Sequence, residues 1–271
     1  MVVSSVSLRV PVRPPPILKM LQKTLFGLVA LARLGGAINL TVSATGGNVT
    51  SPLMYGLMFE DINHSGDGGV YAELIPNRAF QGSTEHPSTT NYWFPVGNAV
   101  LTLQNTSIPL STALPTSVNV APSTNTTRRG QIGIWSTGWW GIDVKPQKYT
   151  GSFWSLGTYK GSFTVKLQSN LTSQVFASVN VPSASQAGKW VEHEYTIQPW
   201  MAAPNSNNTF VLEFDSAAVG SGGLNLNLIS LFPPTYNNRP NGNRADLMSA
   251  MKALNPSFLR MPGGNNMFGS L

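Results

Sequence analysis

The sequence predicts a mixed fold: an all-β sandwich or jelly roll of about 140 residues followed by the opening of a β/α unit. Two patterns predict it. From Asn91 to Pro233, short runs such as Ser162 to Gln168, Val175 to Val181, Thr209 to Phe214 and Leu224 to Leu228 alternate apolar and polar residues, separated by Gly, Asn, Pro and Ser. Period-two runs with no convincing helix between them make antiparallel strands. Then Arg244 to Leu254 places apolar residues at 247, 248, 251 and 254, a helical stripe ended by Asn255-Pro256. Ser257 to Met261 follows as a short strand running into Pro262-Gly263-Gly264-Asn265. A helix feeding a strand that opens into a glycine-rich loop is the unit of a β/α fold, and a closed barrel of such units needs about 250 residues.

The segment before the sandwich divides in two. Five of the seventeen basic residues (Arg9, Arg13, Lys19, Lys23, Arg33) precede position 38 and no acidic residue does, so the formal charge of +6 falls to +1 over the rest of the chain. Lys19 and Lys23, the apolar stretch Leu25 to Ala32 and the small residues Gly35-Gly36-Ala37 have the layout of a secretory signal, with cleavage expected after Ala37 and Met20 as an alternative start. The run is short for a membrane span and Arg33 interrupts it. A nearly neutral body gives no reason to expect nucleic acid or a membrane after signal cleavage. Ile38 to Ser43 alternates like a strand, and Met54 to Glu60 is a second short apolar run. Beyond it, Val70 to Asn77 reads as one or two helical turns carrying Glu73 and Leu74.

With no cysteine the chain has no disulfide and no thiolate site. Seven Asn-x-Ser/Thr sequons, at Asn39, Asn48, Asn63, Asn105, Asn125, Asn170 and Asn207, fit a secreted glycoprotein, although a chain rich in Asn, Ser and Thr also produces them by chance.

Three constellations can carry chemistry. In Gly56-Leu57-Met58-Phe59-Glu60-Asp61 an apolar strand ends in two carboxylates, which face an active-site mouth if the strand belongs to a barrel and are surface charge if it does not. Arg260 follows two large apolar residues. On a buried strand it needs a partner, either a sugar hydroxyl or a structural carboxylate such as Glu60 or Glu73, and Gly263-Gly264 would let backbone approach a ligand. His64 and Asp67 sit in a glycine-rich loop, but three scattered histidines without i, i+3 or i+4 partners make no metal site, and there is no G-x-S-x-G elbow. His64 reads as a loop hydrogen-bonder, and no cofactor is expected. The aromatic cluster Trp135, Trp139, Trp140, Phe153, Trp154 and Tyr159 either fills the sandwich core or stacks on sugar rings, with period-two strands favouring the core.

The stretch Ser51 to Ile75, with Gly56-Leu57-Met58-Phe59-Glu60-Asp61-Ile62-Asn63-His64 and Gly68-Gly69-Val70-Tyr71-Ala72-Glu73-Leu74, resembles the start of the fungal and plant α-L-arabinofuranosidases of glycoside hydrolase family fifty-one. So do Leu228 to Tyr236 with Asn238-Arg239-Pro240-Asn241-Gly242, and Phe258 to Asn266; Gly138 to Val144 and Trp190 to Tyr195 are similar to landmarks of the sandwich inserted in these enzymes. Pro76 and Phe268 depart from the family's usual residues. The resemblance implies a carbohydrate-binding-like jelly roll inserted into the start of a (β/α)8 barrel that is truncated here. Its parts would be a leader at 1–37, an N-terminal strand and first barrel strand with the active-site loop at 38–90, the sandwich at 91–235, and a helix with the second barrel strand at 236–271. It implies release of terminal α-L-arabinofuranosyl groups from arabinan or arabinoxylan by a retaining mechanism, an arabinose-containing plant cell-wall polysaccharide as partner, and an extracellular setting. Glu60 would hold the arabinose hydroxyls, with Arg260 and the sugar-contacting Asn265 beside it. The two catalytic glutamates of the family lie on later barrel strands and have no counterpart in this chain. A non-catalytic carbohydrate-binding module is the alternative.

Overall fold

The computed structural model describes residues 40–60, 64–124 and 130–261. It divides into two units, residues 1–51 and 52–271. In the first, the described residues 40–51 form no strand or helix. The alternating stretch expected to be a strand buries nothing there, with Leu40 87% and Val42 94% exposed. Alternation makes a strand only where one face is covered and the backbone finds a partner.

The second unit contains two five-stranded antiparallel sheets. One runs in the order β2 (Phe94–Val96), β5 (Gln131–Ser136), β10 (Asn208–Asp215), β7 (Ser162–Ser169), β8 (Val175–Pro182). The other runs β3 (Ala99–Asn105), β4 (Thr116–Pro122), β11 (Leu224–Asn227), β6 (Tyr149–Leu156), β9 (Val191–Ile197). Period-two alternation sets their inner faces. In β7, Phe163, Val165 and Leu167 are buried, and in β9, His193, Tyr195 and Ile197 are buried while Glu192, Glu194 and Thr196 are exposed. The faces meet in one apolar cluster: Phe163 of the first sheet packs edge-on to Phe153 of the second with ring centroids 4.8 Å apart, and also touches His193, Tyr159 and Phe214.

His193 is the polar member of this core. Its ring stacks on Phe153 at 5.0 Å and 6°, and its Nε2 accepts the Ala184 N–H at 3.1 Å, which fixes the neutral imidazole. Burial lowers its pKa accordingly.

Beside the sandwich, β1 (Leu57–Met58) pairs in parallel with β12 (Leu259–Arg260), which follows helix α1 (Ala245–Ala253). The helix and the strand after it stand where the apolar stripe placed them. The turns expected over Val70 to Asn77 do not form. A tight turn spans Gly66–Val70, Tyr71 is extended, and residues 72–75 form no helix before a further turn at 76–79. The reason lies in where the backbone donors go: the Ala72 N–H bonds Gly242 O at 3.1 Å, Leu74 bonds Leu231 O at 3.0 Å, and Ile75 bonds a Glu73 carboxylate oxygen at 3.0 Å, which takes these three out of an i to i−4 ladder. Ile75 and Phe80 are drawn into the sandwich core instead.

Phe163 is fully buried among four rings. Phe163→Ala is expected to lower unfolding free energy by about 3–5 kcal/mol, read as a shifted urea midpoint with an unchanged slope.

Candidate functional site

The parallel pairing of β1 with β12 builds the site. Leu57 lies opposite Leu259 and Met58 opposite Arg260, with Leu57 N donating to Phe258 O and Phe59 N to Arg260 O, each at 2.9 Å. Close approach is possible because Gly56 has no side chain: a Cβ there would stand 2.3 Å from the Phe258 ring. Since both strands point the same way, their carboxyl ends coincide. Met58 and Arg260, paired in register, share one face, and Glu60 follows two residues beyond Met58. Two of the expected site residues, Glu60 and Arg260, thus lie at the carboxyl ends of the two paired strands. Asn265 lies outside the described residues, as do the sequons Asn39, Asn63 and Asn125. The sequons Asn48, Asn105, Asn170 and Asn207 are all exposed.

Of the two readings of Arg260, sugar contact or a structural ion pair with Glu60 or Glu73, the ion pair is not seen among the described residues, and the strand that bears Arg260 is exposed. A guanidinium on a hydrated strand end needs no carboxylate to offset desolvation, and Glu73 is engaged elsewhere.

Glu73 is buried and works as an anchor. One carboxylate oxygen accepts the Leu231 N–H at 2.8 Å and the Ile75 N–H at 3.0 Å, and the other accepts from Arg78 at 3.3 Å. Arg78 in turn lies 5.8 Å from the Tyr71 ring centroid. Burial pushes the Glu73 carboxyl up to about 7, against the downward pull of these donors. The sequence reading placed Glu73 on a helical turn and missed this role. The signal was present as a carboxylate three residues before a proline, in a run too apolar to be surface.

The loop after Glu60 is fastened at both ends. The Ser65 hydroxyl donates to the Glu60 carbonyl, and Ser65 O accepts the Val70 N–H at 2.9 Å. The His64 ring packs against the indoles, 4.8 Å from Trp139 and 6.1 Å from Trp140. Gly68, at φ +81°, lets the loop lie on the Trp139 indole, where a Cβ would come within 2.7 Å. Trp139 is thus packing, and Trp140, 72% exposed, projects into a groove of about 430 Å³ shared with Tyr71, Asp143 and Arg244. The aromatic cluster therefore divides: Phe153 and Tyr159 are core, Trp135 and Trp154 are half-buried on the outer sheet faces, and Trp140 is exposed.

A two-sheet sandwich thus stands in one unit with a parallel strand pair that carries Arg260 at its carboxyl end and is followed by Glu60. The comparisons make this particular. The chain is 37% identical to α-L-arabinofuranosidase A of Aspergillus kawachii over 243 residues, 90% of this chain and 38% of that protein. It is also 37% identical to a probable α-L-arabinofuranosidase A of Aspergillus terreus over 253 residues, 91% of this chain and 39% of that one. An arabinose-bound α-L-arabinofuranosidase of glycoside hydrolase family fifty-one superposes with a TM-score of 0.71 at 39% identity, over 79% of this chain and 35% of that structure. No protein-family model matches. The chain is thus related, in sequence and in fold, to the family-fifty-one α-L-arabinofuranosidases, and it spans under two fifths of the length of these relatives.

Because the native pKa of Glu73 lies above its ordinary value of 4.5, the folded protein holds that proton more tightly. Its stabilisation is complete below about pH 4.5 and is lost as pH rises through about 7. Relative to Glu73→Gln, the wild-type chain is expected to lose on the order of 3 kcal/mol between these limits in urea titrations at fixed ionic strength. Parallel pH profiles for the two proteins would refute this.

Proposed function

We propose that this chain is the arabinose-recognising portion of a secreted α-L-arabinofuranosidase that releases terminal α-L-arabinofuranosyl groups from arabinan or arabinoxylan. The single observation that supports the reading is the parallel β1–β12 pair, at whose carboxyl end Arg260 stands and Glu60 follows. A carboxylate accepts two neighbouring sugar hydroxyls and a guanidinium donates to others, so the pair grips and orients a furanose ring.

In this reading residues 1–37 are a leader, 38–90 hold the first barrel strand and its loop, 91–235 are the inserted jelly roll, and 236–271 begin the second barrel unit. Asn265 joins Glu60 and Arg260 at the sugar. Similarity to relatives named α-L-arabinofuranosidase supports the reaction class. No helix among the described residues is long and apolar enough to cross a membrane.

Retaining glycoside hydrolysis needs two carboxyls about 5–5.5 Å apart, one as acid/base and one as nucleophile. Glu60 with Arg260 supplies one carboxylate and one cation, which bind but do not cleave. The family's catalytic glutamates are not among the motifs shared here.

Two outcomes test the proposal. Purified residues 38–271 should bind L-arabinose detectably by NMR titration, and Glu60→Gln should weaken that binding by about ten-fold, the loss of one charged hydrogen bond. The same preparation should give no hydrolysis of an aryl arabinofuranoside above blank, and clear turnover would overturn the assignment of Glu60 to binding alone.

A further inference from the structure

The outer face of the β2-β5-β10-β7-β8 sheet lies apart from the Glu60 site and has its own chemistry. Phe94 of β2 stands directly across from Trp135 of β5, and their rings stack at 4.4 Å and 25°. Phe94 is 43% exposed, so the stacked pair presents aromatic surface to solvent. Beside the pair runs a groove of about 260 Å³, with Trp135 on one wall and Gln168, Asn170, Ser173 and Thr209 among its other lining residues.

Several features define what fits. The aromatic wall favours a ring that offers C–H groups, and the opposing amides and hydroxyls favour one rimmed with hydroxyls. The nearby charges, Lys166 and Glu213, form an ion pair with each other and so leave no net field for an anionic ligand. A polypeptide strand is disfavoured as occupant, because the edge strand β2 carries Pro95 at its centre, where an added strand would need a donor. A second aromatic, Trp140, is more exposed, but its groove adjoins the loop after Glu60 and carries Asp143, Lys145, Arg244 and Asp246.

We infer that Phe94 and Trp135, with the polar groove beside them, form a second carbohydrate-binding site that holds a neutral polysaccharide chain away from the Glu60 site. The sugar rings lie against the aromatic pair, and their hydroxyls bond the side chains of Gln168 and Ser173. The site recognises backbone sugar and does not require arabinose, so it stands or falls separately from the role given to Glu60.

The test is isothermal titration of the chain with xylohexaose, which carries no arabinose, using protein made without N-linked glycans because Asn170 stands on the groove. Binding is expected, weakened about ten-fold or more by Phe94→Ala and by Trp135→Ala. Trp140→Ala should change it by less than about two-fold, and trigalacturonate should not compete. Trp135 is half-buried and its loss can unfold the sheet, whereas Phe94 sits on an edge strand, so Phe94→Ala with an unchanged melting temperature is the deciding variant. Absence of binding by the wild-type chain, binding indifferent to Phe94→Ala, an equal loss in Trp140→Ala, or competition by trigalacturonate would each overturn the inference.

Discussion

The buried carboxylate of Glu73 is the constraint on which the rest of the arrangement depends. It ties the extended segment after Tyr71 to the strand-like stretch around Leu231, taking one backbone N–H from each side with a single oxygen. The Leu74 N–H to Leu231 O bond lies alongside it. Without an acceptor at this point two buried N–H groups would be unpaired, each costing about 1–3 kcal/mol, and the segment leading back to Glu60 would have no fixed path. Because Arg78 closes the other oxygen, the anchor is a small polar network inside an apolar shell made by Ile75, Phe80 and Trp93.

This anchor explains why the site-bearing loop can be short on regular structure and still be placed. Its turn is closed by Ser65 and Val70, its far end by Glu73, and its face by Trp139, so the loop is held from three directions. The sandwich acts here as a wall against which the loop after β1 is set. A module connected by a flexible linker would not lend Trp139 to that loop.

The sandwich was legible in the sequence because period-two alternation is a local property that survives whatever the strand pairs with. The strands β7, β8, β10 and β11 fall where the alternation places them, and α1 sits on its apolar stripe. What could not be read locally was where a backbone donor would go. Val70 to Asn77 looks helical until Gly242 and Leu231 take its hydrogen bonds, and Leu40 to Ser43 alternates without forming a strand. For the proposed site, the motif pointed to Glu60 and Arg260, but the pairing that brings their two strands side by side joins residues about 200 positions apart, beyond any sequence window. The aromatic cluster failed as a set for a related reason. Parity along a strand decides which ring enters the core, and turns such as the one bearing Trp139 and Trp140 obey no parity.

That distant pairing also orders the folding process. Joining β1 to β12 directly in an unfolded chain closes a loop of about 200 residues, at an entropic cost of roughly 5 kcal/mol, in return for a pair only two residues long on each side. Once the sandwich has formed, the Arg244 N–H to Val70 O bond and the Tyr71–Asn243 bridge already hold the two arms together. The remaining loop is then about 30 residues, and its closure costs roughly 2 kcal/mol less. The strand pair that bears Arg260 is thus a late product of assembly, and the sandwich serves as its template before it serves anything else.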